Sequence, residues 1–134
     1  MQGLITVPSD FSVTETIDRI VAVAQSKGLT VFARIDHATN AREVGLPLRP
    51  TELIIFGNPK AGTILMQDKQ TTGIDLPVKA LAWEDETGKV WLTYNAADWL
   101  EDRHALSENS TAVLKAIQGG LMVVANAATH KQPS

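Results

Sequence analysis

No cysteine occurs among the 134 residues, which excludes disulfides, thiolate metal centres and a cysteine nucleophile together. Aromatic residues are scarce, at 5%, with a single tyrosine. There is no run of Lys or Arg, and the formal net charge is −3. The chain therefore lacks the basic footprint of a nucleic-acid binder, and no nucleic-acid partner is expected. Long apolar runs are also missing: stretches such as Leu121 to Ala125 are too short to span a bilayer, and no membrane partner is expected. Met1 to Pro8 has neither the basic start nor the apolar core of a signal peptide. A cytoplasmic location is the expectation, with export after removal of a signal peptide as the alternative. What is present, 44% hydrophobic and 20% charged residues, is ordinary globular composition in the size range of one domain.

Gln2 to Val7 alternates and reads as a first strand, ended by Pro8. Ser12-Val13-Thr14-Glu15 has the form of a capping box. The apolar spacing Val13, Ile17, Ile20, Val21, Ala24 then predicts a helix, stopped at Gly28. Leu29 to Asp36 predicts a second strand with Val31, Ala33 and Ile35 on one face and Thr30, Phe32, Arg34 and Asp36 on the other. A helical turn is expected around Asn40 to Val44 within a connection that runs from His37 to Pro50. Thr51 to Phe56 is nearly all apolar and predicts a central strand covered on both faces. Asn58 and Pro59 suit the cap and first position of a short helix from Lys60 to about Gln67.

Asp68 to Asp75 reads as loop. Leu76 to Glu84 and Lys89 to Tyr94 read as a hairpin turning at Gly88. Asn95 is placed to cap a helix ending near His104. A last helix is expected from Ser107 or Ser110 to about Ala128, with Gly119-Gly120 marking a close helix contact or a kink. Residues 129 to 134 are expected to fray. The order gives one α+β domain over 1–134: a two-layer sandwich with one mixed or mainly antiparallel five-stranded sheet and helices on one face.

Three segments together carry a family resemblance. They are Thr30 to His37, Val44 to Thr63 with its Phe56-Gly57-Asn58-Pro59-Lys60 core, and Leu76 to Glu84 continued by Val90 to Asn95. The chain resembles domain-of-unknown-function family 302 over about residues 1 to 106. That resemblance implies an α+β sandwich of the TATA-box-binding-protein-like class, commonly a homodimer. It implies neither DNA binding nor a reaction.

Four residues at strand ends or helix starts are the expected ligand contacts: His37, Asn58, Lys60 and Tyr94. His37 has the chemistry of a base or a proton-switched contact, against the plainer role of closing a loop by a hydrogen bond. Gly57 to Thr63 joins a strand to a helix start, where free amides favour an anion; the plainer role is capping. It lacks the ending of a Walker loop, and no Gly-x-Ser-x-Gly elbow occurs. Glu101 and His104 have the spacing of two metal ligands, but two are too few for zinc, and a solvated last helical turn explains them as well. His130 sits near the chain end. Trp83, Trp91 and Tyr94 are core or interface packers first and a pocket wall second.

The function expected is a non-catalytic homodimeric domain binding a small molecule or an ion in a groove between sheet and helices, with the cofactor unknown and no metal site. The rival is an enzyme with His37 as general base and an anion site after Asn58, which requires the two to share one cleft. A structural interaction module is the third reading.

Overall fold

The structure, a computed structural model, describes residues 3–131. Gln2, where the first strand was expected to begin, and residues 132–134 lie outside them. Five strands, β1 (Leu4–Ser9), β2 (Thr30–Asp36), β3 (Thr51–Gly57), β4 (Val78–Glu84) and β5 (Val90–Asn95), form one sheet in the order β1-β5-β4-β3-β2. Every neighbouring pair is antiparallel. Five α-helices complete the fold: α1 (Val13–Ser26), α2 (His37–Glu43), α3 (Pro59–Asp68), α4 (Ala97–His104) and α5 (Thr111–Thr129). The expected α+β sandwich with a five-stranded sheet is thus formed, and the sheet is wholly antiparallel.

Helix α1 starts as its cap predicts: Ser12 Oγ accepts the Glu15 amide at 3.1 Å. Its stripe of Val13, Ile17, Ile20 and Ala24 is buried on the inner sheet face against Ile54, Phe56, Ala82, Leu92 and Tyr94. Helix α5 lies beside α1 and adds Leu121, Val124, Ala125 and Ala128 to the same core. Glu108–Thr129 is long and apolar enough to cross a membrane, which corrects the expectation that no stretch is. Its inner stripe is spent on the domain core, and Met122 and Val123 face outwards.

Several local expectations are revised. Pro8 does not end β1; it pairs opposite Trp91 on an edge strand, where its missing N–H costs no ladder bond. Strand β3 is an inner strand next to the β2 edge rather than the central one, and its outward residues Leu53 and Ile55 are only half-buried. Helix α4 is not capped by Asn95; the Ala97 amide instead donates to Gln118 Oε1 of α5 at 2.7 Å. The chain end does not fray at 129: the Thr129 carbonyl accepts the Asp10 amide, and the Lys131 amide donates to Asp10 Oδ2.

The largest revision is in β2. A bulge between Val31 and Ala33 places Ala33 opposite Ile55 and Arg34 opposite Ile54. One extra residue reverses the side to which every later side chain points. Val31 therefore does not share a face with Ala33 and Ile35. Arg34 turns under α1, where Nε meets Glu52 Oε1 at 2.9 Å and a terminal nitrogen meets Asp18 Oδ1 at 2.6 Å. Thr14 donates to the other Glu52 oxygen at 2.6 Å, so a buried carboxylate is fully paired. Phe32 is the residue in the bulge, and it is left 48% exposed.

Candidate functional site

A cavity of about 410 Å³ opens between α3, α5 and the sheet end formed by β2, β3 and the start of β4. Its volume is within the range of small-molecule sites. Phe32 and Phe56 form the sheet wall, Pro59 and Met66 the α3 wall, and Ile117 and Gly120 the α5 wall. Among the described residues, no Asp, Glu, Lys, Arg or His lines it. Asn58 and Thr63 supply the polar side chains. The Asn58 carbonyl oxygen caps α3 by accepting the Lys60 amide at 2.9 Å, and the Thr63 hydroxyl donates to the Pro59 carbonyl at 2.7 Å. Asn58 and Thr63 are both exposed, so this polar end of the cavity opens to solvent.

The α5 wall is open because of Gly120. A Cβ built on Gly119 or Gly120 meets no atom within 4 Å. The helix also runs unbroken through both. The expected close contact or kink is therefore absent; both glycines are exposed, and Gly120 lies at the rim of the cavity.

The four residues expected to act together are dispersed. Asn58 lines the cavity. Lys60 is exposed and stands outside the lining. Tyr94 is 5% exposed in the main core, between the sheet and its helices, and burial raises its phenol pKa. His37 is the first residue of α2, at the far end of β2. Asp36 pairs with Glu52 at one end of β3, whereas Asn58 follows Gly57 at the other. Five residue steps of strand, roughly 17 Å, separate those ends. His37 and Asn58 therefore do not share a cleft, and the general-base arrangement is not assembled. Asp36 caps α2: its Oδ1 accepts the Thr39 amide at 2.9 Å, and that bond, with one from the Thr39 hydroxyl, lowers its pKa.

His104 is also placed differently from either expectation. Its side chain is 6% exposed. Nε2 meets Asp75 Oδ2 at 2.6 Å, and Nδ1 meets Thr71 Oγ1 at 3.0 Å. Both ring nitrogens are engaged, so it neither pairs with Glu101 for a metal nor sits in a solvated turn. No cluster of three metal-ligating side chains occurs among the described residues. The Asp75–His104 contact joins residues 29 apart, and no local spacing announces it.

The sequence profile of the family Domain of unknown function DUF302 matches residues 5–123. The chain belongs to this family. This DUF302 domain superposes on the crystal structure of an uncharacterized conserved DUF302 protein from Bacillus stearothermophilus with a TM-score of 0.83 and 17% sequence identity. The alignment covers 96% of this chain and 99% of that one, so the fold is common to both. The DUF302 domain is also 58% identical over 118 residues to proteins named Fluoride-specific ion channel FluC 1 from Brucella suis and Brucella abortus. That alignment covers 88% of this chain but 46% and 44% of theirs. The chain thus spans less than half the length of these relatives.

Proposed function

We propose that this DUF302 chain is a small-molecule-binding domain whose site is the cavity between α3, α5 and the sheet end. The observation that carries the reading is an apolar space of about 410 Å³ with two phenylalanine walls and no charged lining. An apolar ligand loses its hydration there at no polar cost. A desolvated anion would find no balancing charge among the lining residues, so the apolar small molecule is the reading this cavity favours. The test is titration with the uncharged fluorophore N-phenyl-1-naphthylamine. Saturable, blue-shifted emission with one probe per chain is expected. A signal that never saturates, or none, removes the reading.

A second reading concerns the setting of the domain. Its relatives carry the name of a fluoride channel and have more than half their length outside the matched region. We propose that such a domain acts beside an ion channel, as a part attached to it or as a separate chain. Fluoride efflux from vesicles holding one of these relatives, with and without its DUF302 region, tests this. Equal efflux in both removes the reading. The homodimer implied by the family resemblance would use the outer sheet face, where Leu53, Ile55, Leu81 and Trp83 are half-buried.

A further inference from the structure

We infer that Thr71 is a nucleophile, activated by His104 and Asp75, that takes the acyl group of a small ester. The inference concerns a second place on the molecule and does not rest on the cavity, since none of the three residues lines it.

Two segments hold the cluster. Gln70–Ile74 forms one 3-10 turn, and Asp75 follows it. The His104 ring, from the end of α4, stands between Thr71 and Asp75. Its Nδ1 is 3.0 Å from Thr71 Oγ1, and its Nε2 is 2.6 Å from Asp75 Oδ2. A carboxylate oxygen only accepts, so the neutral ring carries its proton on Nε2. Nδ1 is then the acceptor, and the Thr71 hydroxyl donates to it. That is the polarity by which a base activates a hydroxyl: nucleophile to base, base to an orienting carboxylate. A helix clamp requires the Asp75 contact alone. It does not require the second ring nitrogen to face a hydroxyl at the surface.

Burial divides the roles. The side chains of His104 and Asp75 are 6% and 14% exposed, whereas Thr71 is exposed. The base is thus shielded while the nucleophile is open to a substrate. The parts are also fixed in place. Thr72 is fully buried, and its amide and hydroxyl both donate to the Lys69 carbonyl, which holds the turn that carries Thr71. The Asp75 amide donates to the Thr72 carbonyl, and Arg103 reaches the same Asp75 oxygen as the histidine, at 3.4 Å. Ala105, directly after His104, has a φ of 51°, and among the described residues it is the one non-glycine in the left-handed region. A residue with a Cβ seldom adopts that conformation. Backbone retained there, beside the histidine, is a mark of positioning.

In the reaction Thr71 Oγ1 attacks the ester carbonyl carbon while its proton passes to His104 Nδ1. The bond from that carbon to the alkoxy oxygen breaks, and the leaving alcohol takes the proton from Nδ1. Water, deprotonated by the same nitrogen, then splits the acyl-threonine, releases the acid and restores the Thr71 hydroxyl.

The experiment exposes the whole chain to p-nitrophenyl acetate. Release of p-nitrophenolate should begin with a burst, and an acid-quenched sample should carry an acetyl group on Thr71, placed by peptide fragmentation apart from Lys69 and Lys79. Thr63 and Thr87 serve as comparisons within the same molecule, being exposed threonines whose hydroxyls donate to a carbonyl and a carboxylate instead. Thr71 should be acetylated at least about 100-fold faster than either, the lower end of what a general base contributes. Thr71→Val keeps the branched side chain and leaves the His104–Asp75 contact in place, and it should lose the burst. Thr71→Ser should keep it. Acetyl groups on lysines alone, a rate at Thr71 no greater than at Thr63 and Thr87, or a burst unchanged in Thr71→Val overturns the inference. None of these outcomes bears on fluorophore binding in the cavity.

Discussion

His104 Nε2 stands 2.6 Å from Asp75 Oδ2, and this contact clamps the last turn of α4 to the segment between α3 and β4. Arg103 adds a longer contact to the same oxygen, at 3.4 Å. His104→Ala leaves the mostly buried Asp75 carboxylate without its nearest partner. A loss of about 1–3 kcal/mol is expected, as for other buried groups left unpaired. Calorimetry should show a melting temperature lower by several degrees. A variant that melts with the parent would mean that Arg103 and water replace the histidine fully.

Asp85 organises the hairpin between β4 and β5. Its Oδ1 accepts the Thr87 hydroxyl and the amides of Thr87 and Lys89, while Oδ2 accepts the Trp91 indole N–H. These bonds, the Thr87 hydroxyl first, hold its pKa well below the usual carboxylate range. A depressed carboxylate contributes stability above its unfolded pKa and loses it as pH falls towards the folded value. Melting temperature should therefore decline below about pH 4 in the parent. In Asp85→Asn that decline should be shallower, because one of the depressed carboxylates is gone. Parallel pH profiles for the two proteins would count against this assignment.

Leu81 lies on the outer face of the sheet's central strand, with Leu53 and Thr93 opposite it on the two neighbours. If this face joins two copies, Leu81→Lys places a charge in the contact. The dimer should weaken by at least about tenfold, read by light scattering across a dilution series. The folded monomer should keep its far-ultraviolet spectrum. A parent protein that is monomeric at every concentration would exclude the face as a self-contact.

Local rules carried much of the fold. Ser12 and Asn58 cap helices as their positions suggest, because a cap needs only neighbouring residues. Trp91 and Tyr94 fall on opposite faces, as strand parity requires. The rules fail where one residue breaks the period. Nothing in Thr30-Val31-Phe32-Ala33 marks the bulge, yet it brings Arg34 to the same side of the sheet as Val31, in the ion-paired space under α1.

The candidate site was legible only in part. Asn58 was singled out for the amides near it, and it does line the cavity. The rest of the lining is phenylalanine, methionine, proline and glycine from three distant segments, residue types that read as core in any single sequence. The one available signal was Gly119-Gly120, which is costly inside a helix. It points to a close contact or a kink, whereas the helix runs unbroken and both glycines are exposed. His37 and Tyr94 were grouped with Asn58 because all sit near element ends, but the sheet order sends them to different places.

The strand order has a consequence in time. Leu4 of β1 faces Asn95 of β5, so the first strand of this sheet has its partner, among the described residues, 91 residues later. At roughly 5–20 residues per second, a ribosome delivers that partner about 5–20 s afterwards. By then β2, β3 and β4, each paired with its neighbour in sequence, have all been made. The nascent chain thus holds a three-stranded meander while its leading strand still waits, and closure of the sheet is left to its last-made hairpin.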